Sequence, residues 1–143
     1  MSESNYFKFT NAVVVAPLVG IILIWAVFWL ELQFNVNLNE YGVFPRTLIG
    51  LRGVFFSPFI HGSIEHLYNN TIPLAVLTAS LFYFYKKIAL KVLFYGVLLS
   101  GLLTWSIGRD SYHIGASGVI YVLASFTFFK GIFSKYYRLV ALS

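Results

Sequence analysis

The sequence predicts an all-α polytopic membrane protein, and three observations predict it. Of its 143 residues, 59% are hydrophobic and only 10% are charged, against about 25% charged in soluble domains. Apolar runs recur at about 12–32, 64–85, 88–107 and 117–133, each near the ~20 residues that a bilayer core of about 30 Å requires. The charges gather at or near the ends of those runs. The expectation is one membrane domain over 1–143 with four transmembrane helices.

The same composition narrows the chemistry. There is no cysteine, so no disulfide framework and no thiolate nucleophile. The net charge is +5. In a membrane protein such an excess reports topology. No dense Lys/Arg stripe interleaved with aromatics lies outside the apolar runs, so nucleic acid is not an expected partner; the lipid bilayer is.

Met1 to Asn11 is short and polar and lacks the apolar region and cleavage site of a signal peptide. Ala12 to Leu30 is nineteen residues without a charge, a span by length. Pro17 sits in its second turn, and Trp25 and Trp29 near its far end suit the membrane interface. Glu31 to Phe59 is too apolar for a free linker. Gly42, Pro45, Gly50, Gly53 and Pro58 break it too often for a spanning helix. It reads as a structured interfacial loop with short helical turns.

Ser63 is the expected N-cap of the second span, with Glu65 in its first turn complementing the helix dipole. That span ends at Lys86-Lys87. In the third, Gly96, Ser100 and Thr104 recur every four residues, a small-residue stripe that lets another helix approach closely. Lys130, Lys135 and Arg138 anchor the far end of the fourth.

The charges orient this layout. With the N-terminus, the Lys86–Lys91 turn and the C-terminus on one side, that side carries +6 and the other −1, which together give the net +5. The positive-inside rule then places both termini of the chain in the cytoplasm. The expected location is a multi-pass protein of a bacterial cytoplasmic membrane.

Two polar motifs interrupt the apolar pattern. Gly115-Ala116-Ser117-Gly118 opens the fourth span after a polar loop holding Arg109, Asp110, Ser111 and His113. A serine between glycines at a helix start can act as a nucleophile, with free N–H groups ready for an oxyanion. From Ser117 to Lys130 is thirteen residues, or roughly 20 Å of helix. With Lys130 at the inner interface, the serine lies within the membrane, about 10 Å short of the outer surface. Irregular backbone at that depth needs protein around it or a water-filled cavity.

The second motif is His61-Gly62-Ser63-Ile64-Glu65-His66-Leu67-Tyr68-Asn69-Asn70. His66 and Asn70, four apart, share a helix face at about the depth of Ser117. Polar side chains inside a membrane helix are functional candidates. Two roles remain open from the chemistry alone, hydrogen-bonding glue between helices or donors in a site. As metal ligands, His61, His66 and His113 would lack a carboxylate or cysteine at a recognisable spacing.

The two motifs in this order, with Tyr121 one turn after Ser117 and Phe55-Phe56-Ser57-Pro58-Phe59-Ile60 before His61, resemble the rhomboid family of intramembrane serine proteases over roughly Tyr41 to Tyr137. The resemblance implies a rhomboid-like helical bundle. It implies Ser117 as nucleophile, and His66, Asn70 and the Ser117 N–H as oxyanion hole. Tyr121 would be the platform on which a catalytic histidine stacks; as a purely structural residue it would be a buried aromatic. His61 would order water and loop contacts, and Gly115 and Gly118 would permit close backbone approach. Substrates would be transmembrane segments of membrane proteins, and no cofactor or metal is required.

The pattern departs in one respect. The family's base histidine lies on a sixth span, and none of His61, His66 and His113 matches it. A serine hydroxyl without a base is a weak nucleophile. The expectation is therefore the N-terminal four of six spans, C-terminally incomplete and inactive alone, with the polar faces of His66, Asn70 and Ser117 left exposed. The alternative is a rhomboid-like pseudoprotease that binds or escorts transmembrane clients. A plain scaffold or transporter subunit would not need these polar groups at one depth.

Overall fold

The computed structural model describes residues 9–133 and Ser143. Glu3, Lys8, Lys135, Tyr137 and Arg138, on which parts of the charge layout and the extent of the resemblance rest, lie outside the described residues. The helices are α1 (Ala12–Phe34), α2 (Gly53–Phe56), α3 (Ile64–Phe84), α4 (Ala89–Ile107) and α5 (Ser117–Phe133), and no strand occurs among the described residues. The described residues are therefore all-α, as expected.

Local chemistry sets the helix ends. α1 stops where Asn35 takes the left-handed conformation at φ 50° and returns its N–H to the Glu31 carbonyl, a backbone state that asparagine tolerates better than most residues. The Ser63 hydroxyl accepts the His66 N–H at 3.1 Å, so the expected N-cap of α3 forms.

Length and an apolar sequence, broken by one charge each, Glu31 in α1 and Lys91 in α4, make these the two described helices long and apolar enough to cross a membrane. α5 is apolar but shorter, 17 residues. In α3 the opening Glu65, His66, Asn69 and Asn70 dilute an otherwise apolar helix. Leu18, Ile22, Leu90, Leu103 and Phe133 are all exposed. An apolar exterior over a partly polar interior suits a lipid solvent.

The core runs in two patches. Val13, Leu77, Leu81, Phe82, Ala89, Val119 and Leu123 knit α1, α3, α4 and α5 together. Ile24, Phe28, Leu67, Leu74 and Ala116 join α1 and α3 to the residue just before α5. α3 thus contacts both α1 and α5, while α4 packs on α5 and α2. Trp25 also serves this packing: its indole N–H donates to Thr71 Oγ1 at 3.0 Å across the α1–α3 contact.

The loop between α1 and α3 is structured, as its aromatic density suggests. Beside α2 it holds single 3-10 turns at Asn39–Tyr41, Ile49–Arg52 and Ser57–Phe59. It is fastened to the end of α4. Trp105 donates its indole N–H to the Thr47 carbonyl at 2.7 Å, and the Arg46 N–H donates to the Trp105 carbonyl at 2.9 Å. The Arg46 guanidinium donates to the Gly108 carbonyl at 3.0 Å and pairs with Asp110. A cation over the last carbonyls of a helix offsets their unmet acceptors and the negative dipole end.

Candidate active site

The segment before α5 is positioned by main-chain contacts from the loop. Val43 and His113 exchange backbone hydrogen bonds of 2.9 and 2.8 Å in an isolated antiparallel bridge. Gly115 N–H donates to the Ser57 carbonyl at 2.8 Å. Ala116 N–H points at His61 Nε2, 3.4 Å away. Three successive attachments thus fix the backbone entering Ser117.

Gly115 joins the two sequence motifs. Its φ is +103°, a conformation open to glycine and strained for other residues. A Cβ there would lie 2.6 Å from Cε1 and Nε2 of His66 and 3.6 Å from the Asn70 amide nitrogen. The imidazole of His66 and the amide of Asn70 therefore lie against the backbone two residues before Ser117. Asn70 is buried at 5% exposure, against the expectation that its polar face would be left open. Its amide donates to the His66 carbonyl one turn back at 3.0 Å.

Ser117 is the first residue of α5. The Ile120 N–H closes a helical bond onto the Ala116 carbonyl at 3.0 Å. The N–H groups before it are therefore the unmatched donors of a helix start. Ser117 borders a cavity of about 180 Å³ whose polar lining includes Ser57, Ser100, Thr104 and His113. That is room for more than one water at about 30 Å³ each. Gly118 admits α4 closely, because a Cβ there would lie 3.2 Å from Ser100 Cβ. Tyr121 also lines this cavity and is 73% exposed among the described residues.

The three histidines sit in different surroundings. His61 is 1% exposed, its ring 5.0 Å from that of His66. Burial, then the nearby His66, lower its pKa from the usual 6.5 to about 4, against a weaker opposing pull from the Phe59 backbone. Neutral His61 can offer an Nε2 lone pair to Ala116 N–H. His113 has Nε2 3.0 Å from the Arg109 carbonyl. The Ser57 carbonyl and Val43 were not foreseen. They act through main-chain atoms, and no residue pattern encodes that.

Known proteins give a consistent comparison. Residues 50–142 match the family model described as Rhomboid domain. The chain is 34% identical over 126 residues to uncharacterized proteins of Mycobacterium bovis and of Mycobacterium tuberculosis strains CDC 1551 and H37Rv. The alignments cover 80% of this chain and 50% of each relative. The chain thus spans about half the length of the curated relatives it matches. No solved structure matches it.

Proposed function

This chain belongs to the rhomboid family, and from that premise we propose that it carries the nucleophile and oxyanion hole of an intramembrane serine endopeptidase. Ser117 Oγ attacks a peptide carbonyl of a transmembrane substrate. The negative charge then developing on the carbonyl oxygen is met by the side chains of His66 and Asn70 and by the Ser117 N–H. The acyl bond to Ser117 forms as the peptide C–N bond breaks and the leaving amine takes up a proton. Water from the polar cavity then releases the acyl group.

The observation that carries this reading is the seat of Gly115 against His66 and Asn70. It joins motifs about fifty residues apart at the start of the helix that bears the serine. Of the three histidines, His61 faces the Ala116 N–H, His113 the Arg109 carbonyl, and the His66 ring lies against Gly115. In this reading the general base comes from outside these 143 residues.

The test is cleavage of a transmembrane reporter by the protein expressed in membranes at the length of its relatives. Ser117→Ala should abolish cleavage. Asn70→Ala should lower the rate about 10²–10³-fold with the fold intact, the usual loss for one oxyanion donor. Full cleavage by Ser117→Ala would remove the nucleophile assignment. The placement of all three histidines also favours a second reading, a pseudoprotease that holds transmembrane clients. It predicts client capture with no Ser117-dependent cleavage and no labelling of Ser117 by a fluorophosphonate probe.

A further inference from the structure

A second cavity, of about 380 Å³, lies between α1 and the loop and shares no lining residue with the polar one. Its walls include Leu23 and Val27, one turn apart on α1, and Leu38, Tyr41, Phe56 and Phe59 from the loop. The Tyr41 and Phe56 rings meet edge-on, centroids 6.4 Å apart. The volume falls within the ~300–1,000 Å³ of ordinary ligand pockets.

A cation lies over the ring of one wall residue, Tyr41. Arg52 Cζ lies 4.4 Å from the centre of the Tyr41 ring, and Nη2 donates to the Glu40 carbonyl at 3.0 Å. Arg52 is exposed. The one ion pair among the described residues is Arg46–Asp110, so Arg52 has no carboxylate partner there. Trp29, farther along α1, and Tyr41 are exposed aromatics, the residues that mark headgroup depth. An apolar slot running along a membrane helix, with an ordered guanidinium against its wall at that depth, has the chemistry of a phosphodiester carrying an acyl chain.

We propose that this cavity is a glycerophospholipid site, with one acyl chain against Leu23, Val27 and the loop aromatics and the phosphate on the Arg52 guanidinium. Arginine suits the phosphate because its planar fork donates two parallel hydrogen bonds. The nearby carboxylates of Glu31 and Glu40 disfavour surplus negative charge, so a zwitterionic headgroup fits better than a polyanionic one. The lipid would wedge the loop against α1, the loop that also fixes the backbone entering Ser117.

The test is native mass spectrometry of the chain after reconstitution with palmitoyl-oleoyl phosphatidylethanolamine and detergent exchange. The wild type should retain one lipid. Val27→Trp, which fills the slot from the helix side, and Arg52→Gln, which removes the charge, should each lower retention about tenfold, as for loss of a charge-assisted contact. Arg52→Lys, which keeps the charge but not the planar fork, should retain the lipid better than Arg52→Gln and less well than wild type, separating loss of charge from loss of fold. Palmitoyl-oleoyl glycerol, with the same chains and no phosphate, should be retained poorly. Unchanged retention in both Val27→Trp and Arg52→Gln would overturn the site, as would equal retention of the phosphate-free lipid. Displacement of the lipid by a transmembrane peptide that cross-links at Val27 would reassign the slot to a protein partner.

Discussion

His61 couples the loop to the backbone just before Ser117 through one hydrogen bond, and that bond depends on its protonation. Nε2 can accept the Ala116 N–H only while it carries no proton. The folded pKa is lowered from 6.5 to about 4, so the fold favours the neutral ring. The resulting stability is fully present above pH 6.5 and is lost as the pH falls from 6.5 through about 4. The expected outcome is a thermal midpoint in detergent that drops across this window more steeply for wild type than for His61→Gln, whose side-chain oxygen can still accept from Ala116. Parallel curves would mean that His61 does not titrate against the fold. At this scale the sequence told much about residue types and less about roles. The His66–Asn70 spacing and the glycines around Ser117 were visible because helical periodicity and glycine's freedom are local properties. That His61 would face a backbone N–H, and that Trp25 would bond to Thr71, depended on contacts between segments far apart in the chain.

Helix packing separates two glycines of α4 that look alike in the sequence. A Cβ on Gly101 would lie 2.7 Å from Val54 Cγ1 and 2.8 Å from Val54 Cα. The second of these is backbone, so relief requires moving α2. A Cβ on Gly96 would meet Val122 Cγ1 at 3.5 Å, an ordinary contact. Gly101→Ala should therefore destabilise by about 1–3 kcal/mol through overpacking. Gly96→Ala should be neutral, or stabilising by up to about 1 kcal/mol through helix propensity. Equilibrium unfolding in mixed micelles checks the order; a Gly96→Ala protein less stable than Gly101→Ala would contradict this packing. The stripe of Gly96, Ser100 and Thr104 does bring α5 close, at Gly96 and Ser100. The tightest point on α4 nonetheless lies off the stripe, at Gly101, because its partner is a single helical turn with no periodic signature. Helix limits were the most legible feature: 117–133 is matched by Ser117–Phe133, and 64–85 by Ile64–Phe84. A polar cap or glycine flanks each of those starts, and composition alone can carry that signal.

For the whole molecule, topology follows from where charges sit relative to the long helices. α4, at 19 residues, is about 28 Å long at 1.5 Å per residue, enough to separate the Lys86–Lys87 turn from the Gly108–Ser111 loop by a bilayer core. α3 leads into that same turn. On that topology α3 and α4, joined by a short linker, would return across the same thickness. The loop after α4 is bound to the α1–α3 loop through Arg46 and Val43, so those two loops share one side. Positive charge concentrated at the Lys86–Lys91 turn predicts that this turn faces the cytoplasm and the paired loops face away from it. Because the chain has no cysteine, one introduced thiol reports its own side. Ser111→Cys and Lys87→Cys both replace exposed residues. On intact cells a membrane-impermeant maleimide should label Ser111→Cys, and Lys87→Cys only after permeabilisation. Labelling in the opposite order would invert the molecule. Labelling of both from outside would mean that α4 does not cross, and the depth assigned to Ser117, together with the water-filled site it requires, would fall with it.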